Sequence, residues 1–126
     1  MKRKYFLLIA FLILAMFLVG CGTTPSNILS ANFIITDWEQ NYYEYLQDWG
    51  NVYIYYEVEN TGNAEIDYYK VYFTVTCIDG SKYYDWTNGL SVGVGHKYSD
   101  YTIVNVAGKR AVSVEITDWE LTNYTW

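Results

Sequence analysis

Few side chains in this sequence could do covalent chemistry, and their spacing argues against it. His96 is the single histidine, set in the glycine-rich stretch Gly93-Val94-Gly95-His96-Lys97. A catalytic base needs a nucleophile within reach and a group that orients the ring. Ser91 and Ser99 are near in sequence, but neither sits in a nucleophile-elbow motif. His96 therefore reads as an exposed turn residue, and the chain as a non-enzyme. Cys77 falls on the apolar phase of an alternating segment, where a thiol behaves as a small buried hydrophobe. One histidine and one buried cysteine supply too few ligands for tetrahedral zinc. Calcium would find oxygens among 14 Asp and Glu residues, and Asp37 with Glu39, or Asp118 with Glu120, share a face at period two. No Asp-x-Asp-x-Asp-Gly loop occurs, so these acids read as a solvating surface, and neither metal nor cofactor is expected.

The surplus is aromatic, with 15 Tyr and 5 Trp in 126 residues. Tyr42, Tyr43, Tyr45 and Trp49 crowd the connection from residue 40 to 50, where a loop is ordinarily polar. Tyr53, Tyr55 and Tyr72 take the solvent phase of their segments, and Tyr83, Tyr84 and Trp86 follow on the next hairpin arm. Two readings compete. Outward tyrosines pair across strands and stabilise a sheet by about 0.2–1 kcal/mol each. Alternatively they grip a protein or stack on sugars, since Tyr and Trp dominate binding hot spots. Tyr42, Tyr43, Tyr45, Trp49, Tyr53, Tyr55 and Trp86 form the candidate binding surface.

The elements that must position these side chains are strands. After residue 30 no stretch shows apolar spacing of 3.6 over two turns, and Val, Ile, Thr, Tyr and Trp abound. Val52, Ile54, Tyr56 and Val58 alternate with Tyr53, Tyr55, Glu57 and Glu59. Val71, Phe73, Val75 and Cys77 do the same, as do Val112, Val114 and Ile116. Weaker strands are expected over 32–39, 82–87 and 97–105. Turns fall at Asn60-Thr61-Gly62-Asn63, Asp79-Gly80, Gly93-Val94-Gly95 and Ala107-Gly108-Lys109-Arg110. Six or seven strands in about 96 residues match an all-β, immunoglobulin-like antiparallel sandwich in size. Ile35-Thr36-Asp37-Trp38-Glu39 recurs as Ile116-Thr117-Asp118-Trp119-Glu120. The echo reads as two matching edge strands, lying side by side with their Trp packed over the sandwich end; a paired carboxylate site is the alternative.

Ahead of that domain stands a segment of different character. Lys2-Arg3-Lys4 precedes an unbroken apolar run from Phe6 to Val19, too short for the roughly 20 residues of a membrane-spanning helix. A basic start and a short apolar run read as a signal peptide. Leu18-Val19-Gly20-Cys21 resembles the bacterial lipobox. That resemblance implies cleavage before Cys21 and a diacylglycerol thioether on its sulfur, an anchor holding the protein outside the cytoplasm on the membrane. The chain thus divides into a helical signal peptide (1–20), a flexible tether (21–30) and a sandwich domain (31–126). From Cys21 onward there are five basic residues against 14 acidic ones, a net charge of −9, which argues against nucleic acid as a partner.

A second resemblance covers residues 50–104. Val58-Glu59-Asn60-Thr61-Gly62-Asn63, Ile66, Lys70-Val71, Phe73, Val75 and Asp79-Gly80-Ser81 resemble the core of FxLYD-type and CARDB-type domains, immunoglobulin-like modules of surface lipoproteins. The resemblance implies architecture and is nearly silent on activity. The function expected is a cell-envelope lipoprotein presenting a non-catalytic binding domain to an envelope protein. A glycan-binding module using Tyr and Trp as stacking platforms is the alternative.

Overall fold

The alternating segments become six antiparallel strands in two sheets. The computed structural model describes residues 26–125; the expected signal peptide and Cys21 lie outside the described residues. The strands are β1 (Ala31–Tyr43), β2 (Asp48–Asn60), β3 (Ile66–Cys77), β4 (Lys82–Val92), β5 (Lys97–Val104) and β6 (Ala111–Thr122). One sheet has the order β1-β2-β5 and the other β4-β3-β6, giving an all-β sandwich with no helix among the described residues.

The core lies between the two central strands. Val52, Ile54, Tyr56 and Val58 of β2 face Tyr69, Val71, Phe73, Val75 and Cys77 of β3, all fully buried. Burial of such side chains at roughly 1.5–3 kcal/mol each is the main drive for closing the sheets on one another. The aromatic members pack edge to face or tilted. Tyr56 and Phe73 have ring centroids 5.6 Å apart, Tyr56 and Tyr69 6.3 Å, and Phe33 and Tyr69 5.5 Å. The two buried phenols hydrogen-bond each other at 2.8 Å, so neither hydroxyl is stranded in the apolar interior. Burial, reinforced by that bond, raises the Tyr56 phenol well above its ordinary pKa, and burial raises Tyr69 too. Tyr69 needs Gly89 beside it: a Cβ there would stand 2.3 Å from the phenol ring.

Three expectations are corrected. The stretch from 40 to 50 is not a long loop; β1 and β2 extend into it as a hairpin whose turn is only residues 44–47. Polar–apolar alternation gave no warning, because tyrosines occupy both faces at that end. Val112 is not inward but 48 % exposed. It is the extra residue of a β-bulge, since Thr76 pairs with Ser113 and Cys77 with Ala111, and Ala111 takes the buried place. Finally, β1 and β6 are both edge strands, yet they belong to opposite sheets and do not pair. They meet across the sandwich, where the Phe33 and Trp119 rings are 5.3 Å apart.

The repeated pentapeptide has a structural meaning. Ile35 pairs with Tyr56 and Asp37 with Tyr55, so Thr36 is an extra residue in β1; Ile116 pairs with Phe73 and Asp118 with Tyr72, so Thr117 is its counterpart in β6. A bulge inverts the period-two phase, which lets an Ile and a Trp three residues apart address the same side. Ile35, Trp38 and Ile116 pack against the core, and Trp119 against Phe33. Both copies are bulged edge segments, a form that also blunts edge-to-edge association.

The chain enters at one end of the sandwich. Ala31 pairs with Asn60, and residues ahead of it are tied to the turn after β2: Thr61 and Gly62 donate to the Ser30 carbonyl, and Asn63 to that of Ile28. Gly62 is obligatory here, since a Cβ would come within 2.1 Å of the Ile28 carbonyl oxygen. Asn60, buried, locks the same end. Its Nδ2 donates to the Ala64 and Val92 carbonyls at 2.9 Å, and its Oδ1 accepts from Gly62.

Candidate binding surface

The seven candidate residues occupy three places. Four lie at the hairpin end. Tyr42 packs against Trp49 with the rings tilted and their centroids 5.1 Å apart, and the Arg110 guanidinium carbon stands 5.5 Å from the Trp49 ring centroid. Tyr43 meets Tyr45 at 6.1 Å and also lies over Gly50, whose missing Cβ makes room for its ring. The turn is closed by Leu46 and Gln47 donating to the carbonyls of Tyr43 and Glu44, with Gln47 at φ 50°. Tyr45 is 82 % exposed and Leu46 61 %.

Gln40 holds this end in place. Its Nε2 donates to the carbonyls of Gly50 and Lys109 at 2.9 and 2.7 Å, and its Oε1 accepts from the Ala111 amide. The hairpin is thereby joined to the loop before β6. The β3–β4 turn comes to the same end, because Ile78 donates to the Arg110 carbonyl. There Lys109 pairs with Asp79 at 2.9 Å. The Ser81 hydroxyl, and then Lys109, hold the Asp79 carboxyl well below the usual carboxylate range. Ile78, Tyr42, Tyr43, Tyr45 and Leu46 are all exposed at this end, beside that ion pair.

Tyr53 and Tyr55 stand on the outer face of the β1-β2-β5 sheet. Tyr55 lies opposite Tyr101 with centroids 6.1 Å apart, and its hydroxyl donates to Glu39 at 2.9 Å. That hydrogen bond raises the Tyr55 phenol above its ordinary value. Trp86 is apart from the other six, on the outer face of the second sheet, directly opposite Tyr72. The structure therefore brings Tyr42, Tyr43, Tyr45 and Trp49 together, places Tyr53 and Tyr55 along one face, and leaves Trp86 on the far side.

Around Trp86 the structure shows a constellation that sequence reasoning did not assemble. The Lys70 ammonium sits 4.0 Å from the Trp86 ring centroid and 5.0 Å from that of Tyr72, within cation–π range. Its neighbour Tyr72 raises the Lys70 ammonium above its ordinary value. A cleft of about 430 Å³ opens beside these rings, lined by Tyr72, Phe73, Tyr84, Asp85, Trp86, Thr117 and Asp118. Thr117 is the bulged residue of β6, so the cleft lies where the bulge interrupts the sheet. A signal was present: four of the five tryptophans follow an aspartate, at 37–38, 48–49, 85–86 and 118–119. In each pair the Asp Oδ1 accepts the amide of its Trp, at 2.8 to 3.1 Å.

Cys77 is buried and His96 exposed in the turn between β4 and β5. Among the described residues no three His, Cys, Asp or Glu side chains come together to hold a metal. The two carboxylate pairs of the repeated motif lie in opposite sheets and cannot share an ion. The class defined by these observations is a β-sandwich of two three-stranded sheets with an aromatic hairpin end. No family model, curated protein or solved structure matches this chain.

Proposed function

We propose that this chain is a cell-envelope lipoprotein, anchored to the membrane through lipid on Cys21, that presents an immunoglobulin-like sandwich as a non-catalytic binding domain to an envelope protein. The observation that carries the reading is the polarity of the domain. The chain enters at the Asn60 end, and the aromatic hairpin stands at the other end of β1. Thirteen strand residues separate the two, about 40 Å at roughly 3.3 Å per residue. A lipid on Cys21 would hold the entry end toward the membrane and turn Tyr43, Tyr45 and Leu46 away from it.

The immunoglobulin-like assignment draws support from strand order. That scheme sets the first, second and fifth strands side by side in one sheet and the third beside the sixth in the other. The orders β1-β2-β5 and β3-β6 agree with it, while β4 pairs with β3. Ring geometry favours a protein partner over a glycan. A sugar platform calls for rings lying flat in one plane, whereas the ring pairs of the hairpin end and the outer face are tilted by 54° (Tyr42–Trp49), 63° (Tyr43–Tyr45) and 40° (Tyr55–Tyr101).

A photo-crosslinking residue at position 45, with one at Val94 near the entry end as control, tests the reading in cells. An envelope-protein adduct at 45 and none at 94 is expected. Adducts at 94 alone, or at neither position, would overturn it. Mass spectrometry of the membrane-extracted protein tests the anchor: an N-terminus at Cys21 carrying acyl mass is expected, and an unmodified chain retaining residues 1–20 would refute it.

A further inference from the structure

The cleft over the Thr117 bulge is a second site, remote from the hairpin end, and its chemistry is specific. We propose that it takes a basic side chain, a lysine ammonium or an arginine guanidinium, displayed by the protein partner of the domain; this rests on the reading of the domain as an interaction module.

Three observations carry it. The first is the lining: three rings, Tyr72, Tyr84 and Trp86, with the carboxylate of Asp118, which pairs opposite Tyr72 on their outward phase; Asp85 pairs with the buried Phe73 and takes the opposite phase. A carboxylate only accepts hydrogen bonds, and Asp118 already accepts one from the Trp119 amide, which fixes the side chain. Aromatic faces beside an acceptor carboxylate are what an ammonium or a guanidinium is held by.

The second observation is that an ammonium is already held by these rings. Lys70 stands 4.0 Å from the Trp86 ring, and Glu120 pairs opposite it in the β3–β6 register. Lys70 and Glu120 offset one another in net charge, which leaves the Asp118 carboxylate as the cleft's own charge. The third is charge complementarity. Among the described residues the ion pairs are Lys97 with Glu57 and Glu59, and Lys109 with Asp79, so Asp118 has no basic partner there. The excess of acidic over basic residues after Cys21 adds a long-range field that draws cations to the domain.

The bulge explains why a cleft exists here. The extra residue of β6 breaks the row of outward side chains between Thr74 and Tyr72, and the tall aromatic residues of β4, Tyr84 (74 % exposed) and Trp86 (49 % exposed), wall one side.

The test follows the Trp86 indole N–H by NMR in the isotope-labelled full chain in detergent micelles, assigned through Trp86→Phe. The probes are N-acetyl-lysine methylamide and N-acetyl-arginine methylamide, with N-acetyl-norleucine methylamide and N-acetylglucosamine as neutral controls. A saturable shift with a cationic probe and none with the neutral ones is expected. Asp118→Asn should weaken it about threefold, and raising salt from about 0.05 to about 0.5 M should weaken it further. Equal shifts with norleucine, a shift with the sugar alone, or silence toward both cations up to about 100 mM would overturn the proposal. Crosslinking at position 45 is independent of this cleft. A silent Trp86 with a persistent adduct at 45 rejects the basic-side-chain site and keeps the interaction module; loss of both rejects both.

Discussion

The outer faces of the two sheets carry the same pentapeptide and end up with opposite characters. In β1 the bulge at Thr36 is followed by Asp37 and Glu39, and Glu39 accepts a hydrogen bond from the Tyr55 phenol of the neighbouring strand. That face is closed, with its acid and its tyrosine satisfied by each other. In β6 the bulge at Thr117 is followed by Asp118 and Glu120, but the central strand offers Lys70 and Tyr72, and β4 adds Tyr84 and Trp86. There the same motif opens a cleft. The motif makes the bulge; the strands beside it decide whether the bulge is filled. Local sequence sets backbone phase, and recognition chemistry comes from the cross-strand neighbours.

The strongest way to break the comparison is to remove the bulges. Deleting Thr117 leaves Ile116 and Asp118 as successive paired residues, with Trp119 and Leu121 still in their present register, and so removes the interruption that opens the cleft. The cationic-probe shift at Trp86 should then be lost while chemical denaturation shows the domain still folded, and deleting Thr36 should leave that shift intact. If the shift survived loss of Thr117, the bulge would not be making the cleft.

The phenol pair that joins the two central strands gives the next largest effect. Tyr56→Phe or Tyr69→Phe leaves the other hydroxyl buried and unpaired and should cost about 1–3 kcal/mol, while the double change should cost less than the sum of the two. Both phenols titrate higher in the folded state than the ordinary 10.0. Their stabilisation is therefore complete below pH 10 and lost as pH rises above it, because the unfolded chain ionises first. Each phenol contributes a fall of roughly 1.4 kcal/mol per pH unit in that window. Melting temperature measured from pH 9 to 12 checks this, and the double variant should flatten the slope.

The smallest effects belong to the exposed groups. Tyr45→Ala should leave stability within about 0.5 kcal/mol, as should Glu39→Gln. In the latter the Tyr55 phenol should titrate at lower pH, read by ultraviolet difference spectroscopy. A large stability loss in Tyr45→Ala would show that the hairpin end is packing and not a free surface.

Much of the fold was legible because alternation is a local property. The inward phases of β2 and β3 were read correctly from Val52 to Val58 and from Val71 to Cys77, and the turns at Asn60–Asn63 and Asp79-Gly80 stand where Gly and Asn allow them. Val112 was misread because a bulge shifts phase without changing composition. The extent of the β1–β2 hairpin was missed because tyrosine suits strand and loop surface alike. The burial of Asn60, the bridging by Gln40 and the seating of Lys70 over Trp86 carried no signal, since a polar residue near a turn or on an outward phase is ordinarily solvated.

By itself the sequence determined that this is an all-β domain of short alternating strands, that Cys77 lies inward, and that an acidic, tyrosine-rich surface surrounds the core. Only the tertiary structure decided that the two Ile-Thr-Asp-Trp-Glu segments sit on opposite sheets, that Trp86 is separated from the other six candidate aromatics, and that Tyr72, Tyr84, Trp86 and Asp118 converge on one cleft, with Lys70 held over two of its rings. The physical reason is range. Residue type and period-two phase act within a strand, whereas which strand lies beside which is fixed by burial of whole faces, a sum over residues far apart in the chain.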